Sequence, residues 1–289
     1  MASMRVSVSM VTYNHERHIA QAIESVLAQE HDGFEIELII GEDCSTDLTA
    51  VIVNDYANRY PGKIRVVSGP ENVGAQRNVA RVFAACTGDY IALLDGDDYW
   101  ISPKKVQIQV EFLEANPDCA LCFHNVEVVD EAGTVIEIPD MSKMPARTHL
   151  ENLLIGNFIS SCSVLYRGGL IKSLPDWWND VEMADFPLNV MHARLGWIGY
   201  IDEVMAAYRR HAGGEFSRQS ATRQVRAFMR VLRELDPYLG GQYHTVIRRS
   251  QRRLRISLFA TWLFVLMPPL RPLLAQLRTI VRKLYRPAV

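Results

Sequence analysis

Tyr90-Ile91-Ala92-Leu93-Leu94-Asp95-Gly96-Asp97-Asp98 runs from unbroken apolar residues straight into three carboxylates. The apolar half reads as a strand and the acidic half as the turn that follows it. Carboxylates this close repel one another unless a cation or hydrogen-bond donors offset the charge. Mg2+ and Mn2+ take hard oxygen ligands and are commonly held by one or two carboxylates together with substrate phosphates. For the four residues Asp95 to Asp98 alone, the plainer reading is a solvated acidic turn. A calcium loop does not fit, because Val106 stands where such a loop needs its bidentate Glu.

Upstream the same succession of signals repeats. Val6, Val8 and Met10 alternate with Ser7 and Ser9 and end at Tyr13-Asn14, and Ile19, Ala22, Ile23, Val26 and Leu27 then mark one face of a helix. A second strand, Ile36 to Ile40, enters the loop Glu42-Asp43-Cys44-Ser45-Thr46-Asp47. From there a helix capped near Ser45 or Thr46 is expected to reach Tyr60 and stop at Pro61-Gly62. Strand Ile64 to Val67 and a helix around Asn78 to Ala85 lead back to Tyr90. Repeated β-α-β units imply a mainly parallel sheet with helices on both faces, whose ligands bind beyond the carboxyl ends of the strands. Thr12-Tyr13-Asn14, Glu42-Asp43 and Asp95 to Asp98 each follow a strand directly, so one sheet edge should carry all three. Downstream, Ser102-Pro103 predicts a helix start. Strands are expected at Ala120 to Val129, Thr134 to Ile138, Ile198 to Ile201 and Val204 to Tyr208, and a helix at Phe186 to Leu195.

The 289 residues are 48% hydrophobic and 22% charged, which excludes disorder, collagen-like repeats and a small disulfide scaffold. Five scattered cysteines read as reduced thiols of a cytoplasmic protein, and Cys119-x-x-Cys122 lacks the second ligand pair of a zinc site. Met1 to Arg5 leads into alternation instead of the apolar stretch of a signal peptide. The net charge of -2 hides an asymmetry: residues to Asp236 hold 21 basic and 33 acidic side chains, while the remainder holds ten basic and none acidic. An acidic body argues against nucleic acid as partner. In the basic remainder, Ile256 to Leu270 is nearly all apolar but too short to span a bilayer, and Leu273, Leu274, Leu277, Ile280, Val281 and Leu284 form a helical stripe. These features predict an interfacial helix on an anionic membrane surface, peripheral on the cytoplasmic face. A helix for homo-oligomerisation, or one docked on the body, is the competing reading.

Taken together, Val8 to Asn14, Gly41 to Asp47, Asn72 to Asn78 and Leu93 to Asp98 resemble the N-terminal half of a family 2 glycosyltransferase. Ala184 to Leu188 and Tyr208-Arg209-Arg210-His211 resemble that family's acceptor-side motifs. The resemblance implies an α/β GT-A fold, a Rossmann-like mixed sheet with helices on both faces. Residues 1–215 would form that domain, with a nucleotide-binding half to about residue 100 and an acceptor-side half beyond it, and 216–289 a helical, basic tail. It also implies inverting, metal-dependent transfer, with Mn2+ or Mg2+, from a nucleotide-diphosphate sugar donor to a glycan, lipid-linked or other hydroxyl acceptor in surface-glycan synthesis. A uridine nucleotide is the family's habit.

By resemblance, Thr12 and Asn14 flank the nucleotide, Asp43 hydrogen-bonds the base, and Asp95 meets the ribose or sugar. Asp97 binds the bridging metal, Arg77 lies near the phosphates or sugar, and His211 contacts the metal or diphosphate. Asp185 is the candidate general base, with Glu182 in reserve. Cys44 departs from a common Gly of the family and Glu42 from a common Asp. Tyr99, Trp100, Trp177 and Trp178 have aromatic faces that suit sugar rings, although core packing would account for each. A sugar nucleotidyltransferase would instead carry a Gly-rich basic loop after the first strand, where this chain has Thr12-Tyr13-Asn14-His15-Glu16. A nucleotide-binding scaffold without catalysis would lack Asp97, Asp185 and His211.

Overall fold

The computed structural model describes residues 4–211, 213–214 and 219–266. The first half contains β1 (Met4–Thr12), α1 (Ile19–Leu27), β2 (Phe34–Glu42), α2 (Thr49–Arg59), β3 (Ile64–Val67), α3 (Ala75–Ala85) and β4 (Tyr90–Asp95). Then come β5 (Tyr99–Trp100), α4 (Lys105–Ala115), β6 (Cys119–Val129), β7 (Val135–Glu137), β8 (Arg147–Thr148), α5 (Leu150–Ile155) and β9 (Leu165–Arg167). The chain continues through α6 (Asp185–Ala193), β10 (Trp197–Arg209), α7 (Ala221–Tyr238) and α8 (His244–Leu266).

All ten strands among the described residues join one sheet, ordered β3-β2-β1-β4-β9-β6-β10-β5, with β7 beside β6 and β8 beside β10. β3, β2, β1 and β4 are parallel, as βαβ crossovers require. β9 runs antiparallel to both β4 and β6, and β10 runs parallel to β6. The carboxyl ends of β1, β2, β4, β6 and β10 therefore reach the same edge. β9, only three residues long, was not foreseen; together with β5, β7 and β8, which also run antiparallel to their neighbours, it gives the mixed sheet that the resemblance implied.

Helices cover both faces because the central strands are apolar on both. Tyr90, Ala92 and Leu94 of β4 share a core with Ile23 of α1, Val53 of α2 and Val110 of α4. Ile91 and Leu93 share the opposite core with Phe83 of α3, Leu153 of α5, Phe186 of α6 and Val231 of α7. α3 lies close on β2 because Gly41 faces Asn78 and Val82, where any Cβ would collide.

Several elements differ from expectation for local reasons. α2 starts at Thr49, not near Ser45, because Ser45 Oγ accepts from Asn14 N–H and Asp47 accepts from Glu16 N–H. The segment thus bridges to the β1 loop before any helix begins. The two strands expected at 198–201 and 204–208 are one, β10, irregular between Ile201 and Val204. Trp100 and Trp178 are buried, their indoles donating to Cys162 O and Gln76 O, and Trp177 packs edge-on to Tyr238. Core packing is therefore the role of these indoles. Cys119 and Cys122 are likewise buried free thiols.

α7 buries Ala227, Val231, Leu232 and Leu235, and α8 docks on α5, with Ile247 buried and Ser250 Oγ donating to Ile155 O. The docked arrangement holds for the basic segment as far as Leu254. No helix among the described residues is long and apolar enough to cross a membrane. Pro268-Pro269 and the stripe Leu273 to Leu284 lie outside the described residues.

Lys105 is the costly member of the core. It is fully buried, its Nζ has no hydrogen-bond partner, and it lies 4.1 Å from the Trp100 ring centroid. Burial pulls its pKa from 10.5 down to about 7, against the opposing influence of the Cys162 and Cys122 thiols. Between those values the unfolded chain keeps a proton that the folded chain releases, so this group makes stability rise with pH across that window. Lys105→Met should therefore stabilise the protein near pH 7 by roughly 2 kcal/mol or more. The advantage should shrink as pH approaches 10.5. Urea unfolding of both proteins at pH 7 and pH 10 measures it; a difference that does not change with pH would refute this account of Lys105.

Candidate active site

The sheet register pairs Thr12 with Glu42 and Val11 with Asp95, so the three polar loops leave the edge side by side. Asn14 and Cys44 both hold φ at 56°, in the left-handed region. Asn14 N–H donates to Ser45 Oγ (3.0 Å), and its Oδ1 accepts from Thr46 N–H (2.8 Å). Glu42 accepts from the N–H groups of Cys44 and Ser45 and closes the turn on itself. Glycine adopts positive φ without a Cβ penalty, which accounts for the family's habit at position 44. Here Cys44 adopts it, with its thiol 3.2 Å from Gly69 O.

Asp43, expected to bind a base, is 2% exposed and accepts from Val73 N–H (3.0 Å) and Gly74 N–H (2.8 Å). Its carboxylate is an anchor for the turn that starts α3. Arg81, which sequence reasoning missed, stands 3.7 Å from Asp43 and donates to Glu42 O and Asn78 Oδ1. Arg77 lies exposed on the first turn of the same helix. Gln76 donates to Met183 O, fastening this turn to the segment before Asp185.

The acidic loop crosses the end of β1 at Gly96, where a Cβ would fall 2.7 Å from Thr12 Oγ1 and 3.0 Å from His15 Nδ1. Asp95 accepts from Ser161 Oγ at 2.9 Å. His211 Nε2 lies 2.9 Å from Asp97 Oδ2 and His15 Nε2 lies 3.7 Å from the same oxygen. His18 packs edge-on to His211 with centroids 5.2 Å apart. Buried Asp98 accepts from Arg209 N–H at 2.8 Å through Oδ1, while its Oδ2 is buried without a hydrogen-bond partner. Sequence reasoning did not identify His15, His18 or Ser161, although His15 adjoins the quoted Asn14.

Neighbouring groups drive Asp97 and Asp98 in opposite directions. Burial works to raise the Asp97 pKa, but the His211 hydrogen bond and the charges of His15 and His211 outweigh it and hold the carboxyl low. For Asp98, burial and then the charges of Asp97 and Asp95 push it well above the ordinary carboxylate range. His211 is raised, chiefly by its hydrogen bond to Asp97. Burial lowers His15 despite the nearby Asp97, and burial with Arg209 and His211 takes His18 down to about 4.

Asp185 begins α6 and accepts from Asn157 Nδ2 at 3.0 Å. Burial raises its pKa against the hydrogen bonds from Phe186 N–H and Asn157. Asn157 and Ser161 lie on one short stretch of chain, so the same loop holds Asp185 and Asp95. Glu182, the reserve candidate, is exposed and paired with Arg223 at 3.3 Å.

Among the described residues no three His, Cys, Asp or Glu side chains group as a metal site. Asp97 and His211 offer one oxygen and one nitrogen donor, 2.9 Å apart. That donor chemistry fits Mn2+ or Mg2+ completed by diphosphate and water oxygens.

The family model described as Glycosyl transferase family 2 matches residues 7–174. An uncharacterised protein of Mycobacterium tuberculosis is 39% identical over 72% of this chain and 60% of its own length. The chain thus spans less than two thirds of that relative. Staphylococcus aureus TarS 1–349 in complex with UDP-GlcNAc superposes with a TM-score of 0.68 at 20% identity, over 91% of this chain and 76% of TarS 1–349. The mannosyltransferase PcManGT of Pyrobaculum calidifontis, in complex with GDP-Man and Mn2+, gives 0.64 at 16% identity over 100% and 83%. At such identities the superpositions establish the shared fold, which is the GT-A architecture the motifs implied. The family model covers more than half of the chain, and the chain belongs to glycosyl transferase family 2.

Proposed function

We propose that the chain is an inverting glycosyltransferase moving a sugar from a nucleotide-diphosphate donor, a UDP-sugar first, to a hydroxyl acceptor in surface-polysaccharide synthesis. The supporting observation is the meeting of Asp95, Asp97 and His211 at the carboxyl edge of the sheet, with Asp185 tied to that edge through Asn157 and Ser161. The nucleotide sugars bound by the two structural neighbours support such a donor.

In a single displacement the acceptor oxygen attacks the sugar carbon opposite the departing diphosphate, so configuration inverts. Asp185 takes the acceptor proton; its raised pKa makes it a stronger base than an exposed carboxylate. Thr12, Asn14 and the loop anchored by Asp43 form the nucleoside side, Asp95 meets the ribose or sugar, and Arg77 brings positive charge to the donor. Asp97 and His211 would hold Mn2+ or Mg2+, which when bound offsets charge on the diphosphate.

We further propose a peripheral position on the cytoplasmic face of an anionic membrane. Arg248, Arg252 and Arg255 are exposed along α8 at spacings that share one side of a helix. A cut at Gly240 would uncover the core around Ile247, so substitution is the cleaner test.

Asp185→Asn should keep UDP affinity within about threefold and lower transfer at least ~10²-fold, the lower range for losing a general base. The acidic limb of the wild-type kcat profile should lie above the ordinary carboxylate 3.8. Wild-type turnover in Asp185→Asn when chemistry is limiting would reassign the base. Asp97→Ala should weaken UDP binding with Mn2+ and leave little dependence on the ion, as read by titration calorimetry; retained Mn2+ dependence would remove Asp97 from that role. For the membrane, changing Arg248, Arg252 and Arg255 to Gln should weaken binding to phosphatidylglycerol vesicles about a hundredfold at low salt, at ~1 kcal/mol per arginine. Equal sedimentation of wild type and variant with vesicles would sink the membrane assignment.

A further inference from the structure

We infer that Arg209 is a positioning residue that fixes Asp97 and Asp98 in place, and that donor binding depends on it. The inference rests on the donor site proposed above. Arg209 ends β10, is 4% exposed, and grips the acidic loop in two ways. Its N–H donates to Asp98 Oδ1 at 2.8 Å, and its Nε–H donates to Asp97 O at 3.0 Å. Two residues on, His211 meets the Asp97 carboxylate. One strand end therefore holds the backbone of Asp97 and the side chains of both aspartates.

The rest of the guanidinium reaches two further elements. Nη1 donates to Asp130 O (3.2 Å) and Glu131 O (3.0 Å) at the β6–β7 turn, and Nη2 donates to Gln21 Oε1 (2.7 Å) on α1. The turn is itself braced: Asp130 Oδ1 accepts from Ala132 and Thr134 N–H, and Glu131 pairs with Arg17 at 2.9 Å. The guanidinium also lies over the Tyr99 ring, 5.3 Å from its centroid. Its side-chain acceptors are carbonyls and one amide, none of them anionic. A planar fork can satisfy several acceptors in fixed directions, whereas an ammonium on a flexible stem cannot. Buried and committed in this way, Arg209 acts through Asp97 instead of touching a phosphate.

Three proteins decide it: wild type, Arg209→Lys and Gln21→Met, each checked by thermal melting. UDP is titrated into each with and without Mn2+, and amide hydrogen exchange is measured without ligand. Arg209→Lys should weaken UDP binding in Mn2+ about tenfold or more, while binding without Mn2+ changes less than about twofold. A merely structural role would lower both arms together. Equal loss in both arms, or wild-type affinity in Mn2+, overturns the inference. Where Arg209→Lys does not fold, Gln21→Met decides, with an expected loss of about threefold confined to the Mn2+ arm, and no loss overturning it. Wild type that fails to bind UDP counts against the proposed function, and exchange then tests Arg209 alone. Faster exchange at Asp97–Tyr99 and Asp130–Gly133 in Arg209→Lys, with the end of β2 unchanged, supports the grip; unchanged exchange there refutes it.

Discussion

Three carboxylates within four residues at the end of β4 are the constraint that the rest of the site answers. Two unit charges ~6 Å apart near a protein surface repel by about 3 kcal/mol at an effective dielectric of 20. Compensation cannot come from β4 itself, whose other side chains are apolar and buried. It comes from distant chain: Ser161 to Asp95, His211 and His15 to Asp97, and Arg209 to Asp98. A parallel arrangement of β1, β4, β6 and β10 is what brings these donors to one edge. The antiparallel β9 fits within that arrangement because it fills the space between β4 and β6 without changing where their carboxyl ends point.

The nucleoside-side loops are held by a different device, in which side chains replace secondary structure. Asn14, Asp43 and Asp47 each accept backbone N–H groups from a neighbouring loop or turn, and Glu42 accepts them within its own turn. Such bonds fix the loops without adding strands or helices, and leave the edge of the sheet open to a ligand. Two residues at positive φ, Asn14 and Cys44, turn the chain sharply enough for the loops to meet. The cost of a Cβ in that region is small enough for hydrogen bonds on both sides to offset.

Much of this was legible in the sequence because the deciding signals are local. Alternation in β1, the helical stripe of α1 and the acidic stop of β4 each lie within a dozen residues, and together they placed the edge correctly. Asp97 and His211 were legible as motif members, and the structure brings them together across 114 residues of chain. What escaped was set by partners far away. Asp43 is quoted for a base, and nothing local in the sequence shows that its carboxylate also anchors the Val73–Gly74 turn, which only the packing of α3 on Gly41 brings to it. Arg209 stood inside a quoted motif, yet its acceptors lie up to 188 residues away. α2 does not start near Ser45 or Thr46 because both, good caps by type, are engaged by Asn14 of the β1 loop instead.

Asp97 and Asp185 show how one edge can assign unlike tasks to like side chains. Both are partly buried, which by itself favours the neutral acid. Asp97 meets two imidazoles, and their protons and charge reverse the effect of burial, keeping it anionic as a cation ligand must be. Asp185 meets an amide and backbone N–H groups, which are neutral donors, and burial prevails. A carboxylate so raised holds a captured proton better than an exposed one. Environments that drive two carboxyls apart in this way separate a base from a charge-holding group without any change of residue type. The difference lies in the partners, His211 and His15 on one side and Asn157 on the other, and so in the loops that carry them.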